Sequence, residues 1–325
     1  MGVILPNIAA FVEDEVLKSF IRLDRPAVGL LSRNKGSRPI QNRILSSKLY
    51  LKSFEVPRCF TSIEEARYCY ECIRFRVFPE HKFEEKLKAS ASLPEGITSP
   101  AILLMRLFSE LAENDKAPIL RAELAQWQRA FAPLFRHSRT PQGTATFIPA
   151  TTLFIQATSL EIPLYGFNDA PSDAPSVMYN HLVSARKVLA HAHILIASPK
   201  YPKCFVFDMG IIPSLWIIVV LCLDLSLKKK ALNLLREMQP RIECVLDSRV
   251  VADTGEAFVD MIEQMQKDRI RHRCYDQGGE SIEPVENRGW EDGVTHNVVE
   301  RRDLQMAILY FGSLGSIGKE QKGMR

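Results

Sequence analysis

The chain has 325 residues, of which 46% are hydrophobic and 25% charged, and its formal net charge at pH 7 is +4. These values are ordinary for a globular protein with one large or two modest cores, and the small charge does not by itself indicate a nucleic-acid partner. The seven cysteines are an odd number, and the first residues lack the basic start of a secretory signal. We therefore expect reduced thiols in the nucleus or, as the alternative, in the cytoplasm.

The N-terminal part is predicted to begin with an amphipathic helix over residues 8–24, which Pro26 should end. From residue 22 to residue 58, nine lysines and arginines face only two acidic residues, and the glycine, serine and proline among them indicate a loop. This composition is typical of a solvated basic loop, with nuclear import or phosphate contact as the functional alternative.

A capped helix is predicted over residues 61–78, because Thr61 and Glu64 form a capping box before an apolar stripe of helical spacing. The stripe comprises Ile63, Ala66, Tyr70, Ile73 and Val77. Cys69 and Cys72 in this helix have the spacing of a metal or redox motif. A structural zinc needs four ligands, however, and a redox pair favours a helix N-terminus, so we interpret both thiols as small buried apolar groups.

Four more helices are predicted over residues 99–111, after Pro118, over residues 147–164 and over residues 173–196. Their inward-facing residues are Leu103, Leu104, Leu107, Leu120, Leu124, Trp127, Phe131, Leu134, Leu182, Ala185, Leu189, Ala192 and Ile196. Short joins between consecutive helices indicate an antiparallel array.

Residues 205–248 form the most apolar stretch and predict two packed helices and the start of a third. Pro213 occupies a first helical turn, where proline is tolerated, and every residue from Leu215 to Leu223 is apolar. A bilayer span needs ~20 apolar residues, so this run predicts a helix buried on all sides and no membrane contact.

The second helix of this stretch is predicted to be capped by Ser226 and to end at Pro240, and the third to be capped by Asp247 or Ser248. The predicted inward residues are Leu227, Ala231, Leu234, Leu235 and Met238 in the second helix, and Val250, Thr254, Phe258, Met261 and Met265 in the third. The residues predicted to point outward are Lys228, Lys229, Lys230 and Arg236. The lysine triplet fits a solvated face as well as it fits nuclear import or an acidic partner.

Beyond Lys267, residues 270–274 and 304–311 alternate in polarity, which predicts a small antiparallel β pair joined by a polar loop over residues 277–296. The last residues, 318–325, are expected to be disordered. The overall prediction is a mainly α fold, a single array of packed antiparallel helices over residues 8–266. A C-terminal appendage over residues 267–325 is expected to be partly β or disordered.

Two further patterns are weak as site predictions. His191 and His193 are two residues apart, so on a helix they do not share a face for a metal ion. Gly312, Gly315 and Gly318 precede Lys319, but too few residues follow for the helix of a phosphate loop. We predict no catalytic, cofactor-binding or metal-binding residue, and the chain is not expected to be an enzyme.

The order of features in residues 205–248 resembles the C-terminal regulatory domain of fungal transcription factors of the binuclear zinc-cluster class. The residues that carry the resemblance are Phe207, Asp208, Gly210, Ile211, Ile212, Pro213, Cys222, Asp224, Lys228, Lys229, Lys230, Ala231, Leu232, Leu234, Leu235, Pro240, Arg241, Glu243, Asp247 and Ser248. The chain departs from the family at Cys244, where glycine is usual, and at Leu246, where tryptophan is usual. Weaker similarity extends to residues 16–25 and 54–79.

The resemblance implies a nuclear regulator of transcription that controls, for example, a biosynthetic gene cluster. The family reads DNA with six cysteines that hold two zinc ions, and this chain has no such run of cysteines. We therefore expect no zinc and no autonomous sequence-specific DNA binding. The expected partner is a transcription-factor relative or a co-regulator, in a homodimer or a heterodimer.

Two alternatives stay open. The chain could be a helical sensor or scaffold that binds a small apolar metabolite near Trp216 and Phe205. It could also be a truncated product of a gene whose DNA-binding module is lost. The sequence does not distinguish these readings from a standalone regulator.

Overall fold

The computed structural model describes residues 55–77, 117–164, 174–244 and 246–276. Within these residues seven α-helices pack around one core, which confirms the mainly α fold class. The helices are α1 (Ile63–Val77), α2 (Ala117–His137), α3 (Phe147–Leu164), α4 (Ala174–Ile196), α5 (Ile212–Leu221), α6 (Leu225–Glu237) and α7 (Ser248–Asp276), with a 3-10 helix at Pro141–Thr146. The predicted elements at residues 8–24, 99–111, 277–296 and 304–325 lie outside the described residues.

A small sheet joins the linker before α5 to the linker after α6. Its strands are β1 (Phe205–Val206), β2 (Ile242–Glu243) and β3 (Leu246–Asp247), in the spatial order β1-β2-β3. Strand β2 is parallel to β1, with Phe205 opposite Ile242, and antiparallel to β3. The sheet brings together two linkers that are more than thirty positions apart in the sequence.

Helices α1 and α2 pack through an aromatic cluster centred on Trp127. Its ring lies 5.8 Å from that of Tyr70 and 4.7 Å from that of Phe131. The buried indole N–H donates to the carbonyl of Ala66 at 2.8 Å. All five predicted stripe residues of α1 are buried, as are Leu120, Leu124, Trp127 and Phe131 of α2.

The N-cap of α1 lies one residue later than predicted. Ser62 Oγ accepts from the backbone N–H of Glu65 at 3.1 Å, and the Glu65 carboxylate accepts from the N–H of Thr61 at 2.8 Å. The Thr61–Glu64 capping box is therefore wrong. Consecutive threonine and serine followed by consecutive glutamates allow a cap in either register. The N–H of Ala66 donates to the carbonyl of Ser62, which makes Ser62 the N-cap.

The central helices confirm the apolar prediction for residues 205–248. Residues from Leu215 to Leu223 are all buried, and α5 contacts α3, α4, α6 and α7. Helix α3 has the predicted bounds, and α4 begins one residue later than predicted. The inward stripes of α4 and α6 are buried as predicted. No helix among the described residues is long and apolar enough to span a membrane.

Three predictions at α6 and α7 are wrong. Asp224, and not Ser226, is the N-cap of α6, since its carboxylate accepts from the N–H of Leu227 at 3.1 Å. Lys228 does not point outward but is fully buried. Val250 is 51% exposed, and its neighbour Val251 is buried instead. Farther along α7, Phe258 is buried as predicted, and the predicted Met261 and Met265 pack against the core.

Helix α7 begins after Asp247, whose carboxylate accepts from the N–H of Arg249 at 2.8 Å, as predicted. It continues to Asp276, so the strand predicted at residues 270–274 is wrong. Alternating polarity over five residues is a weak strand signal, and no proline or glycine after Gly255 interrupts the helix before Asp276. The division into a domain at 8–266 and an appendage at 267–325 stays a prediction.

Candidate functional site

A cleft of about 660 Å³ lies beside β1 and is a candidate site. Helices α1 and α3 form one wall, and the linker from Tyr201 to Gly210 forms the other. The lining residues are Arg67, Ile148, Pro149, Thr152, Tyr201, Pro202, Val206, Phe207, Asp208, Met209, Gly210 and Arg241. The lining is mainly apolar, and its charged residues are Arg67, Asp208 and Arg241.

A buried ion pair lies beside the cleft, which its arginine, Arg241, lines. Arg241 Nε donates to Glu243 Oε1 at 2.7 Å, and neither side chain is more than 5% exposed. The other carboxylate oxygen of Glu243 accepts from the N–H of Ile212 at 2.8 Å, at the start of α5. The same carboxylate accepts from the hydroxyl of Tyr201 at 3.3 Å. Both oxygens of this buried carboxylate therefore accept hydrogen bonds, from three donors in all.

Arg241 connects this ion pair to the linker before β1. Its guanidinium donates to the carbonyl of Pro202 and lies 4.2 Å from the centre of the Tyr201 ring. Burial, and then the negative charge of Glu243, raises the pKa of Tyr201, so this phenol stays protonated and acts as a donor. The two linkers are thus held together by charge and hydrogen bonds as well as by the sheet.

Two backbone positions make room for this network. A Cβ at Gly210 would lie 2.1 Å from Glu243 Oε1, so only glycine allows the carboxylate to approach the start of α5. Cys244 has a φ of 57°, in the left-handed region that favours glycine. The turn that follows Glu243 therefore holds a cysteine in a conformation that glycine adopts more easily.

The outer rim of the cleft is exposed. Phe205 and Phe207 are 48% and 58% exposed, and their rings meet edge to face with centroids 5.2 Å apart. Arg67 on α1 forms an ion pair with Asp208 at 3.0 Å. Since Asp208 is half exposed, this pair is screened by water and contributes little stability.

Lys228 is the buried functional group that the sequence analysis missed. Its Nζ donates to the carbonyls of Val219 and Val220, at 2.5 and 2.9 Å, which end α5. The ring of Phe258 lies 5.4 Å away. Burial without a carboxylate partner lowers the pKa of Lys228 to about 7. A neutral amine has two N–H groups, which matches the two carbonyl acceptors.

The CxxC pair has the properties of buried thiols. Cys69 is buried on the inner side of α1, and Cys72 is half-buried. Burial raises the pKa of both thiols, that of Cys72 to about 11, so both are protonated at neutral pH. Within the described ranges, no group of three or more histidine, cysteine, aspartate or glutamate side chains is arranged to hold a metal ion.

The two histidines of α4 have different surroundings. His191 packs on Phe154, with ring centroids 4.6 Å apart, and donates from Nδ1 to the carbonyl of Lys187. Burial lowers the pKa of His191, so its neutral form is favoured. His193 is exposed and lines a second, smaller groove of about 420 Å³ between α4 and α6.

The remaining lysines of the triplet lie at the surface. Lys229 forms an ion pair with Glu263 of α7 at 2.5 Å, and Lys230 lines the groove between α4 and α6. Only one of the three lysines therefore differs from the expected solvated face.

No protein-family model, no curated protein and no solved structure matches this chain at a significant level.

Proposed function

We propose that this chain is a regulator of transcription of the fungal zinc-cluster class that lacks its own DNA reader and acts in the nucleus through protein partners. The observation that carries the proposal is the buried network of Arg241 and Glu243. Residues of the resemblance that are about thirty positions apart, Gly210 and Ile212 on one side and Arg241 and Glu243 on the other, form one network. Because these four residues contact one another in the fold, the motif that carries the resemblance acts as one structural unit.

The departure at Cys244 also supports the resemblance. The left-handed backbone at this position explains why glycine would be usual in a family with the same turn. Leu246, which replaces tryptophan, is buried and keeps an apolar anchor in β3. Both departures are therefore compatible with the proposed resemblance.

Partner binding is supported by the exposed aromatic rim of the cleft. Single exposed apolar residues are ordinary, but Phe205 and Phe207 contact each other, and Phe207 lines the cleft. Such a continuous apolar surface is typical of a protein interaction site.

The proposal is tested by tagging the chain in its native cell and mapping its location, its chromatin association and its co-purifying proteins. We expect nuclear enrichment and co-purification with a zinc-cluster transcription factor or a co-regulator. Absence from chromatin together with absence of any transcription regulator among the captured proteins would contradict the proposal.

A second test uses purified protein, with zinc content and DNA binding measured at two salt concentrations. We expect no zinc and only weak DNA binding that falls steeply with salt. Stoichiometric zinc with sequence-selective binding would show that the chain reads DNA itself.

A second candidate function is the binding of a small apolar metabolite. Trp216 is buried in the core, so the ligand would not lie there, but the cleft beside β1 has the size and the apolar wall of a ligand site. Thermal shift against fractions of a metabolite extract tests this candidate. A shift that the cleft-filling change Thr152→Phe removes would support it, and no shift with any fraction would count against it.

A further inference from the structure

We propose that the outer edge of β1 is a docking site for an extended acidic segment of a partner protein, which adds to the sheet as a fourth strand. The proposal rests on the proposed function only in that it names the surface through which the partner binds. It follows from the hydrogen bonds, exposure and charge of residues 200–208.

The edge of β1 has backbone groups available for pairing. The carbonyls of Cys204 and Val206 accept from β2, from Ile242 at 3.4 Å and from Cys244 at 2.8 Å. Because backbone groups of successive strand residues point in opposite directions, the N–H and C=O of Phe205 point away from β2. Strand β1 is last in the order β1-β2-β3, so this side of it has no strand neighbour among the described residues.

The side chains around this edge favour an apolar, extended occupant. The residues from Pro202 to Phe207 are exposed apart from Val206, which is half-buried, and the Phe205–Phe207 pair stands at the surface. Val206 and Phe207 also line the cleft. An added strand would form main-chain hydrogen bonds to Phe205 and place alternate side chains against the aromatic pair and the cleft.

The charge at this edge favours an acidic partner. Lys200 and Lys203 are exposed just before β1, and no ion pair links either of them to a carboxylate in the described ranges. The acidic residue at the other end of the strand, Asp208, is paired with Arg67. The edge is therefore net positive, and glutamate or aspartate in an incoming strand would complement it.

The docking is tested with the full chain and a synthetic peptide of eight alternating valine and glutamate residues. Amide hydrogen exchange is measured with and without the peptide, and affinity is measured by fluorescence anisotropy of a labelled copy. We expect saturable binding at submillimolar peptide, with new protection of the Phe205 amide.

Two modified peptides separate strand addition from side-chain binding. Methylation of all valine amides or of all glutamate amides removes the donors on one edge of the peptide. We expect one of these two peptides to lose binding and the other to keep it. A peptide with lysine in place of glutamate should bind about tenfold more weakly or worse.

Protein variants locate the site. The double change Phe205→Ser and Phe207→Ser should weaken binding at least about tenfold. Val250→Ser, which removes an equally exposed apolar residue from α7, should leave the affinity unchanged. Both sets of substituted side chains are exposed, and unchanged thermal midpoints would show that the fold is intact.

Three results would overturn the proposal. The first is no binding at millimolar peptide, and the second is equal binding of both methylated peptides. The third is protection of the Phe205 amide in the protein alone, which would mean that another part of this chain already covers the edge. Peptide binding without nuclear location or transcription partners would support the docking site and contradict the proposed function. Nuclear location with transcription partners but without peptide binding would support the proposed function and contradict the docking site.

Discussion

Lys228 near the start of α6 and the Arg241–Glu243 pair just after its end both bury charged groups, but the protein accommodates them differently. The guanidinium of Arg241 and the carboxylate of Glu243 form an ion pair at 2.7 Å. The lysine has two backbone carbonyls and an aromatic ring as neighbours, and burial lowers its pKa to about 7. The Arg241–Glu243 pair holds two linkers together, whereas the amine of Lys228 donates to carbonyls in the last turn of α5.

The comparison separates two costs of burial. In the ion pair, loss of one partner leaves the other charge exposed to a low dielectric. At Lys228 the free-energy cost of burying a charge lowers the pKa of the amine, because the folded state favours its neutral form. The first region should therefore be sensitive to substitution and the second to pH.

The largest expected effect is that of Glu243→Gln. It leaves the buried guanidinium of Arg241 without a counter-charge and should cost about 3–5 kcal/mol in the free energy of unfolding. Urea denaturation followed by circular dichroism measures this loss. Glu256→Gln is the matched control, since Glu256 pairs with Arg236 at the surface. A cost at Glu243 no larger than that of the control would break the comparison.

Lys228→Met should change the pH dependence of stability. Between about pH 7 and the ordinary pKa of 10.5, the unfolded chain binds a proton that the folded chain does not. The free energy of unfolding should therefore rise with pH through this window, by roughly 1 kcal/mol per pH unit from this group. Below pH 7 both states are protonated, and the cost of burying the charge is fully present.

Urea denaturation at pH 6, 7, 8 and 9 checks this expectation in wild type, Lys228→Met and Lys230→Met. Cys222 is a titratable neighbour of Lys228, but burial raises the pKa of its thiol, which keeps it protonated over most of this range. The methionine at position 228 should remove the slope, while the exposed control at 230 should keep it. Parallel curves for wild type and Lys228→Met would show that the amine does not titrate here.

Gly210→Ala should destabilise the protein by about 1–3 kcal/mol, because the new methyl group overlaps the Glu243 carboxylate. The contact predicts a coupling that a double-mutant cycle with Glu243→Ala measures. Once the carboxylate is removed, Gly210→Ala should cost much less. If the two changes were simply additive, the cost of Gly210→Ala would not come from its contact with Glu243.

The smallest expected effect is that of Asp208→Asn. It removes the ion pair with Arg67, and since Asp208 is half exposed the loss should be below about 1 kcal/mol. High salt should shrink it further. A loss as large as that of Glu243→Gln would mean that exposure does not distinguish the two ion pairs.

Periodicity predicted most of the helical architecture because an apolar stripe has few competing explanations. The stripes of α1, α2, α4 and α6 and the bounds of α3 follow from spacing alone. The errors in helix capping lie where either of two nearby residues could be the N-cap, as with Thr61 and Ser62 or with Asp224 and Ser226. Local propensity is nearly equal in such cases, and tertiary burial decides.

The site itself was less accessible to sequence reasoning. The burial of Lys228 depends on where α5 ends relative to α6, and a lysine in a basic triplet is ordinarily solvated. The contact between Gly210 and Glu243 joins linkers that no periodic pattern connects. A signal did exist in the glycine and the Arg-x-Glu segment, which the resemblance placed in the same motif, but only coordinates turn that order into contacts.

The carbonyls to which Lys228 donates are only eight and nine residues earlier in the chain. Closing so short a loop costs little chain entropy, so α5 and α6 can meet early in folding, before distant helices arrive. The most apolar segment of the protein would then be covered on one side almost as soon as it forms. The hydrogen bonds of Lys228 would in this way shorten the time for which apolar surface is open to aggregation during folding.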